Sequence, residues 1–185
     1  MQYHFLIPLF LLLAACGGSS GSAVDSTAEP PPDTNQRPVP DIDLVDPTDL
    51  PVSGRFDYAG EISLDFAPAG GALQTATSPL ALDVDFGGGD AQVTGHADGF
   101  SGYNGRIFFS LGEIDRTAGD TRPAITGTLS GTLKEASENY LVFGTFDGSF
   151  RGTSQDAISG RIVGSVLNNS VESPLSGSYQ AGRAP

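Results

Sequence analysis

The chain has one cysteine in 185 residues, so no internal disulfide can staple the fold and the core must hold itself. Basic residues are scarce as well: nine Lys and Arg stand against 22 Asp and Glu, and they form no local stripe. So acidic a chain is repelled by nucleic acid and by anionic lipid headgroups, which argues against a nucleic-acid partner. The apolar run at 5–13 is too short to cross a bilayer as a stable helix. Helical periodicity is missing downstream of it, which leaves strands as the means of building a core.

That short run suits the hydrophobic region of a secretory signal over residues 1–15. It ends in Leu13-Ala14-Ala15-Cys16, which resembles a bacterial lipobox, with Cys16 as the lipidated first residue of the mature chain. Several acyl chains, each methylene adding about 0.8 kcal/mol, hold a protein on a membrane far better than one chain does, so the protein is expected to be anchored and not spanning. Residues 1–4 carry no Lys or Arg, although a signal ordinarily begins with positive charge, which points to a start upstream of Met1. Gly17, in place of Asp after the cysteine, looks like a signal for export to the Gram-negative outer membrane, facing either the periplasm or the cell surface.

From residue 17 to residue 53 there are seven prolines, no aromatic residue, and seven acidic residues against Arg37 alone. Such a stretch buries too little apolar surface to offset its chain entropy, so residues 16–53 are expected to be a disordered tether. It would hold the folded part roughly 30 Å or more from the lipid. The remaining residues, 54–185, suit one domain and carry fifteen Asp and Glu against eight Lys and Arg, a net charge of −7.

Within that domain, residues two apart sort into an apolar and a polar parity. Tyr140, Val142, Gly144, Phe146, Gly148 and Phe150 lie on one side, with Thr145, Asp147, Ser149 and Arg151 on the other. Eight such segments are predicted, at 54–66, 79–86, 90–98, 105–111, 122–133, 139–150, 157–166 and 174–181, separated by turn chemistry such as Gly87-Gly88-Gly89-Asp90 and Asn168-Asn169-Ser170. An even strand count and short connections favour an all-β, eight-stranded antiparallel up-and-down β-barrel, which leaves no exposed edge. A two-sheet sandwich is the structural alternative. A transmembrane barrel would show the same alternation, but Gly127 and Gly131, Gly144 and Gly148, and Gly160 and Gly164 all fall on the apolar parity. Inside a narrow barrel, glycine alternating with Phe or Ile lets large side chains interdigitate, so the apolar side is expected to fill the interior.

The segment Gly144-Thr145-Phe146-Asp147-Gly148-Ser149-Phe150-Arg151-Gly152, followed by Ala157-Ile158-Ser159-Gly160-Arg161-Ile162, resembles the closing part of the barrel domain of the transferrin-binding protein B family. Leu82-Asp83-Val84-Asp85-Phe86-Gly87 and Gly177-Ser178-Tyr179-Gln180-Ala181-Gly182-Arg183 look like two further pieces of that pattern. The resemblance spans the domain after the tether and implies a lipid-anchored binding barrel of a Gram-negative envelope, some relatives capturing host iron carriers, haem proteins or complement regulators. The transferrin receptors pair each barrel with a handle domain, for which this chain has no room. The resemblance therefore does not extend to transferrin binding.

The residues offer little to catalysis. Gly17-Gly18-Ser19-Ser20-Gly21 has the spacing of a nucleophile elbow but lies in the tether, and Asp85-Phe86-Gly87 spells a kinase tripeptide without its companions. Parity puts His96 on the outer face without convergent partners, and Asp83 and Asp85 lack the spacing of a calcium loop. The chain is expected to be no enzyme and to use no cofactor or metal. Alternate loops share the end opposite the tether, where Phe100 and Tyr103 sit in a loop and Phe108, Leu141 and Phe143 break the polar outer parity nearby. Exposed aromatics anchor protein interfaces, so these five residues are the candidates for partner binding by a monomeric module; the alternative is that Phe100 and Tyr103 fold over the barrel mouth as a plug. Two competing functions remain: a carrier of a small apolar ligand inside the barrel, and a structural lipoprotein of the periplasm.

Overall fold

The alternation of the sequence becomes eight antiparallel strands in the computed structural model, which describes residues 43–68, 71–89, 92–117 and 122–185. The signal, Cys16 and the tether up to residue 42 lie outside the described residues. The strands are β1 (Arg55–Phe66), β2 (Gln74–Asp85), β3 (Val93–Asp98), β4 (Asn104–Ile114), β5 (Ile125–Glu135), β6 (Glu138–Arg151), β7 (Ala157–Asn168) and β8 (Val171–Arg183). Each pairs with its sequence neighbours, and β1 pairs with β8 from Tyr58 opposite Arg183 to Phe66 opposite Leu175, which closes the barrel. The expected up-and-down barrel is the observed one, and closure removes the unpaired edges that a flat sheet would expose.

Five strands, β2, β4, β6, β7 and β8, run longer than their alternation suggested, and for β2 and β4 the physical reason is visible. In β2 the inward positions before Leu80 are Ala76 and Ser78, both buried but too small or polar to mark an apolar face. In β4 the alternation breaks at Leu111, which adopts φ 52° and inserts one extra residue relative to both neighbouring strands. Before this bulge Ile107 and Phe109 point inward; after it, Gly112 and Ile114 do.

The interior is filled by three groups of rings stacked along the barrel. At the loop end Phe66, Tyr103 and Tyr140 lie with ring centroids 5.6–6.0 Å apart. Phe109, Phe146 and Tyr179 occupy the middle at 4.9–6.1 Å. At the tether end Phe86 packs against Phe56 and Phe150, and Tyr58 against Phe150. The inward glycines make room for these rings. A Cβ on Gly160 would lie 2.6 Å from the Tyr179 ring, and one on Gly148 would meet the Tyr179 hydroxyl.

Residues 43–50, expected to lie in the tether ahead of residue 54, pack against the barrel. β6 overruns the last β5 pair, Ile125 with Gly148, and the chain at 43–45 takes the vacated edge. Leu44 bridges Arg151, Val45 N–H donates to the Phe150 carbonyl at 3.1 Å, and Gly152 N–H donates to the Asp43 carbonyl at 3.0 Å. A 3-10 turn at Pro47–Asp49 follows, capped by the Asp46 carboxylate, whose pKa is lowered chiefly by the Thr48 backbone N–H. Leu50 is then buried in the core cluster, and Arg116 donates to the carbonyls of Leu50, Pro51 and Phe86, which straps the segment across the barrel mouth. The unit from Pro38 to Pro185 thus contains the whole described core and closes its own sheet, so it is expected to fold without residues 1–37.

Two tyrosines inside the barrel carry a pH prediction. The Tyr58 hydroxyl donates to the Gln155 carbonyl at 2.8 Å, and burial pushes its pKa up to about 12. Tyr179 is pushed up further, again by burial, and its hydroxyl has no hydrogen-bond partner among the described residues. Because the folded-state values lie above that of an unfolded tyrosine, about 10, ionisation favours the unfolded chain. The stability held below that pH is expected to fall as pH rises through the window between the two values. A spectrophotometric titration should show Tyr58 and Tyr179 becoming tyrosinate together with loss of far-UV β signal, and ionisation of both in a still-folded barrel would refute their burial.

Candidate functional site

The five partner-binding candidates divide into two groups in space. Phe100 and Tyr103 are only 3% and 7% exposed, so neither is presented on the rim, and of the two readings of these residues the plug over the barrel mouth is the observed one. Their loop turns at Gly99 and Gly102, both at φ near 80°, and drops the two rings onto the barrel mouth. Ser101 N–H donates to the Thr77 carbonyl at 2.8 Å, Thr77 N–H donates to Ser101 Oγ at 3.0 Å, and the Tyr103 hydroxyl donates to Gln74 Oε1. Burial of two large rings outweighs their exposure on a loop, and the loop becomes a plug.

Phe108, Leu141 and Phe143 are 49%, 48% and 43% exposed on the outer wall. The ladder registers gather them. One row around the barrel runs Phe108, Ser130, Phe143, Ser165 across β4 to β7. The row nearer the plug reads Arg106, Thr132, Leu141, Leu167, and the row nearer the strap reads Ser110, Thr128, Thr145, Val163. Among these twelve outward positions Arg106 carries the one charge, and its Nε donates to Asp98 Oδ2 at 3.1 Å while its guanidinium lies 5.9 Å from the Phe108 ring centroid. The result is a wall of apolar and hydroxyl side chains with a single charge, paired with Asp98 at its margin.

The opposite wall has the other character. Arg55 and Asp57 on β1 stand beside Asp85 and Asp83 on β2, with Arg55 Nε 2.6 Å from Asp83 Oδ2. Asp85 Oδ1 accepts from Gly87 N–H at 2.8 Å, closing a turn, and Asp65 accepts from Thr75 at 2.5 Å. The Asp65, Asp83 and Asp85 carboxylates are therefore already engaged with neighbouring groups. His96 lies half-buried on the outer face opposite Phe108, and no group of three or more His, Cys, Asp and Glu that could hold a metal ion is found among the described residues.

The wall was only partly readable from the residues. Val163 is exposed beside Thr145, and Leu167 lies half-buried beside Leu141; neither was singled out. The signal was present in the outer parity of β5, β6 and β7, where Ser, Thr, Leu, Val and Phe follow one another without a charge for three successive positions. Compared with known proteins, the chain matches no protein-family model and no curated protein. The likeness to the transferrin-binding protein B barrels therefore rests on the glycine-aromatic segments themselves.

Proposed function

We propose that this protein is a lipid-anchored, non-enzymatic binding module of the Gram-negative outer membrane, a single-barrel relative of the transferrin-binding protein B type, which engages a protein partner through the charge-poor wall of β4 to β7. The observation that carries the reading is that wall. In a domain with a net charge of −7, two half-exposed phenylalanines and Leu141 sit among hydroxyl side chains with one charge nearby. Clustered exposed rings surrounded by small polar groups are the composition of an interface centre. A role as carrier of an apolar ligand has less support, because ring after ring occupies the barrel axis at contact distance. Cys16 would supply the anchor, and residues 17–42 the reach.

The test is a surface substitution that spares the core. Replacing Phe108, Leu141 and Phe143 together with Ser should weaken binding of a partner, purified and reconstituted with the domain, by about a hundredfold or more, since each buried anchor contributes about 1–2 kcal/mol. Equal binding by this variant and by the parent, both folded, would remove the wall from the function. Substitution of Glu61 on β1 by Ala serves as the control on the opposite side and should leave binding unchanged.

A further inference from the structure

We infer that the occupant of this wall is a second copy of the same chain, paired about a twofold axis that runs along the strands between β5 and β6; the inference rests on the binding-module reading above. Such an axis sets β5 against the partner's β6, and β4 against the partner's β7, at equal heights along the ladders. At four of the six facing pairs large then meets small, while Thr145 faces Thr128 of the partner subunit and Arg106 faces Leu167 of the partner subunit. Phe143 lies over Ser130 of the partner subunit, and Leu141 over Thr132 of the partner subunit. Further out, Phe108 faces Ser165 of the partner subunit, and Val163 faces Ser110 of the partner subunit. The registers that create these rows are those of the single barrel, so the match is a property of the sequence.

Charge at the margin follows the same symmetry. The next row toward the strap reads Glu113, Thr126, Asp147, Arg161. The twofold places Glu113, which has no ion pair among the described residues, opposite Arg161 of the partner subunit, which also pairs with Asp147 of its own chain at 2.8 Å. At the plug side Arg106 comes beside Glu172 of the partner subunit, because Glu172 neighbours Leu167 in the ladder. A twofold interface presents the same patch twice, so a patch survives only if it complements itself. On the wall of β1 and β2 the same operation would set Asp57 against Asp83 of the partner subunit, like charges face to face. The barrel wall is convex, so the contacts at β5 and β6 are the closest and those from β4 and β7 depend on the reach of Phe108, Arg106 and Arg161.

The same axis leaves both strap ends on one side of the pair. Two chains anchored through Cys16 in one membrane can therefore associate from the same side, and confinement to the membrane raises their effective concentration.

The 38–185 domain, which contains no cysteine, allows a direct test. Sedimentation velocity over a concentration series should show a monomer-dimer equilibrium that Phe143→Asp weakens by about tenfold or more, with circular dichroism and melting like the parent's. A Ser130→Cys variant should be captured as a covalent dimer by a short bifunctional maleimide, whereas Glu61→Cys on the far wall should not. A parent domain that stays monomeric at every concentration, a dimer indifferent to Phe143→Asp, or equal cross-linking at Glu61→Cys would each overturn the twofold. A monomeric parent whose triple-Ser variant still loses a purified partner would refute the second copy alone, whereas unchanged partner binding would refute the binding wall itself.

Discussion

Gly160→Val is expected to abolish the folded barrel, seen as loss of a cooperative unfolding transition and of the near-UV signal of the interior rings. Gly160 lies on β7 directly opposite Gly148 on β6, with its missing side chain aimed at the axis. Even a methyl there would overlap the Asp147 backbone carbonyl, which is fixed by the β6 to β7 ladder and cannot rotate away, and would sit 2.6 Å from the Tyr179 ring. Tyr179 has no free direction, since it packs against Phe109 at 5.7 Å and Phe146 at 6.1 Å. Overpacking by single methylenes costs about 1–3 kcal/mol, so Gly160→Ala should lose at least that much. Valine adds two more carbons at the same point, and the loss then approaches the roughly 5–15 kcal/mol that holds an ordinary domain together. A Gly160→Val protein that melts like the parent would show that the barrel can open to admit a side chain there.

Phe150→Ala is the second large effect, and it acts in the opposite sense, by emptying space. Phe150 is fully buried on the last turn of β6 before the chain leaves the barrel, with its ring 5.2 Å from that of Phe86 and 6.4 Å from that of Tyr58. Its removal costs the transfer free energy of a phenyl ring and leaves a void that a closed sheet cannot collapse around, together about 3–5 kcal/mol. Chemical denaturation should report a lower midpoint with an unchanged dependence on denaturant. The Phe150 carbonyl would still accept from Val45 N–H, so protection of that amide from hydrogen exchange should fall only as far as global stability does. Selective loss of protection at Val45 would instead mean that the ring, and not the backbone edge, holds the strap.

The contrast between these two sites explains how much could be read from the chain. Period-two alternation is a local property, and eight antiparallel strands followed from it because residues such as Tyr140, Val142, Phe146 and Phe150 repeat on one parity without interruption. The inward glycines were legible for the same reason. What the alternation left open or hid were features decided by long-range geometry. Phe100 and Tyr103 look like loop aromatics in sequence, and their burial depends on Gln74 and Thr77 standing across the mouth on another strand. The strap was invisible because Val45, Pro47 and Leu50 are spaced among prolines and carboxylates with no period, and what orders them is an edge of β6 left open by β5 and an arginine some sixty residues later. The bulge at Leu111 hid the end of β4 by switching the parity of its inward positions. The outer wall lay between these cases: its apolar members were visible one strand at a time, but the rows joining them required the register.

The strap has a mechanical consequence if, as proposed, the molecule is held by its N-terminus. Tension from such an anchor would enter the described domain at Asp43 and bear first on two backbone hydrogen bonds to β6 and on the contacts of Arg116 with Leu50 and Pro51, before it reached the twelve-residue ladder of β1. Peeling that segment would release slack of roughly 35 Å, at about 3.3 Å for each extended residue. The barrel would meanwhile stay closed, so a sudden drag on the domain would be absorbed in the leash and not in the fold.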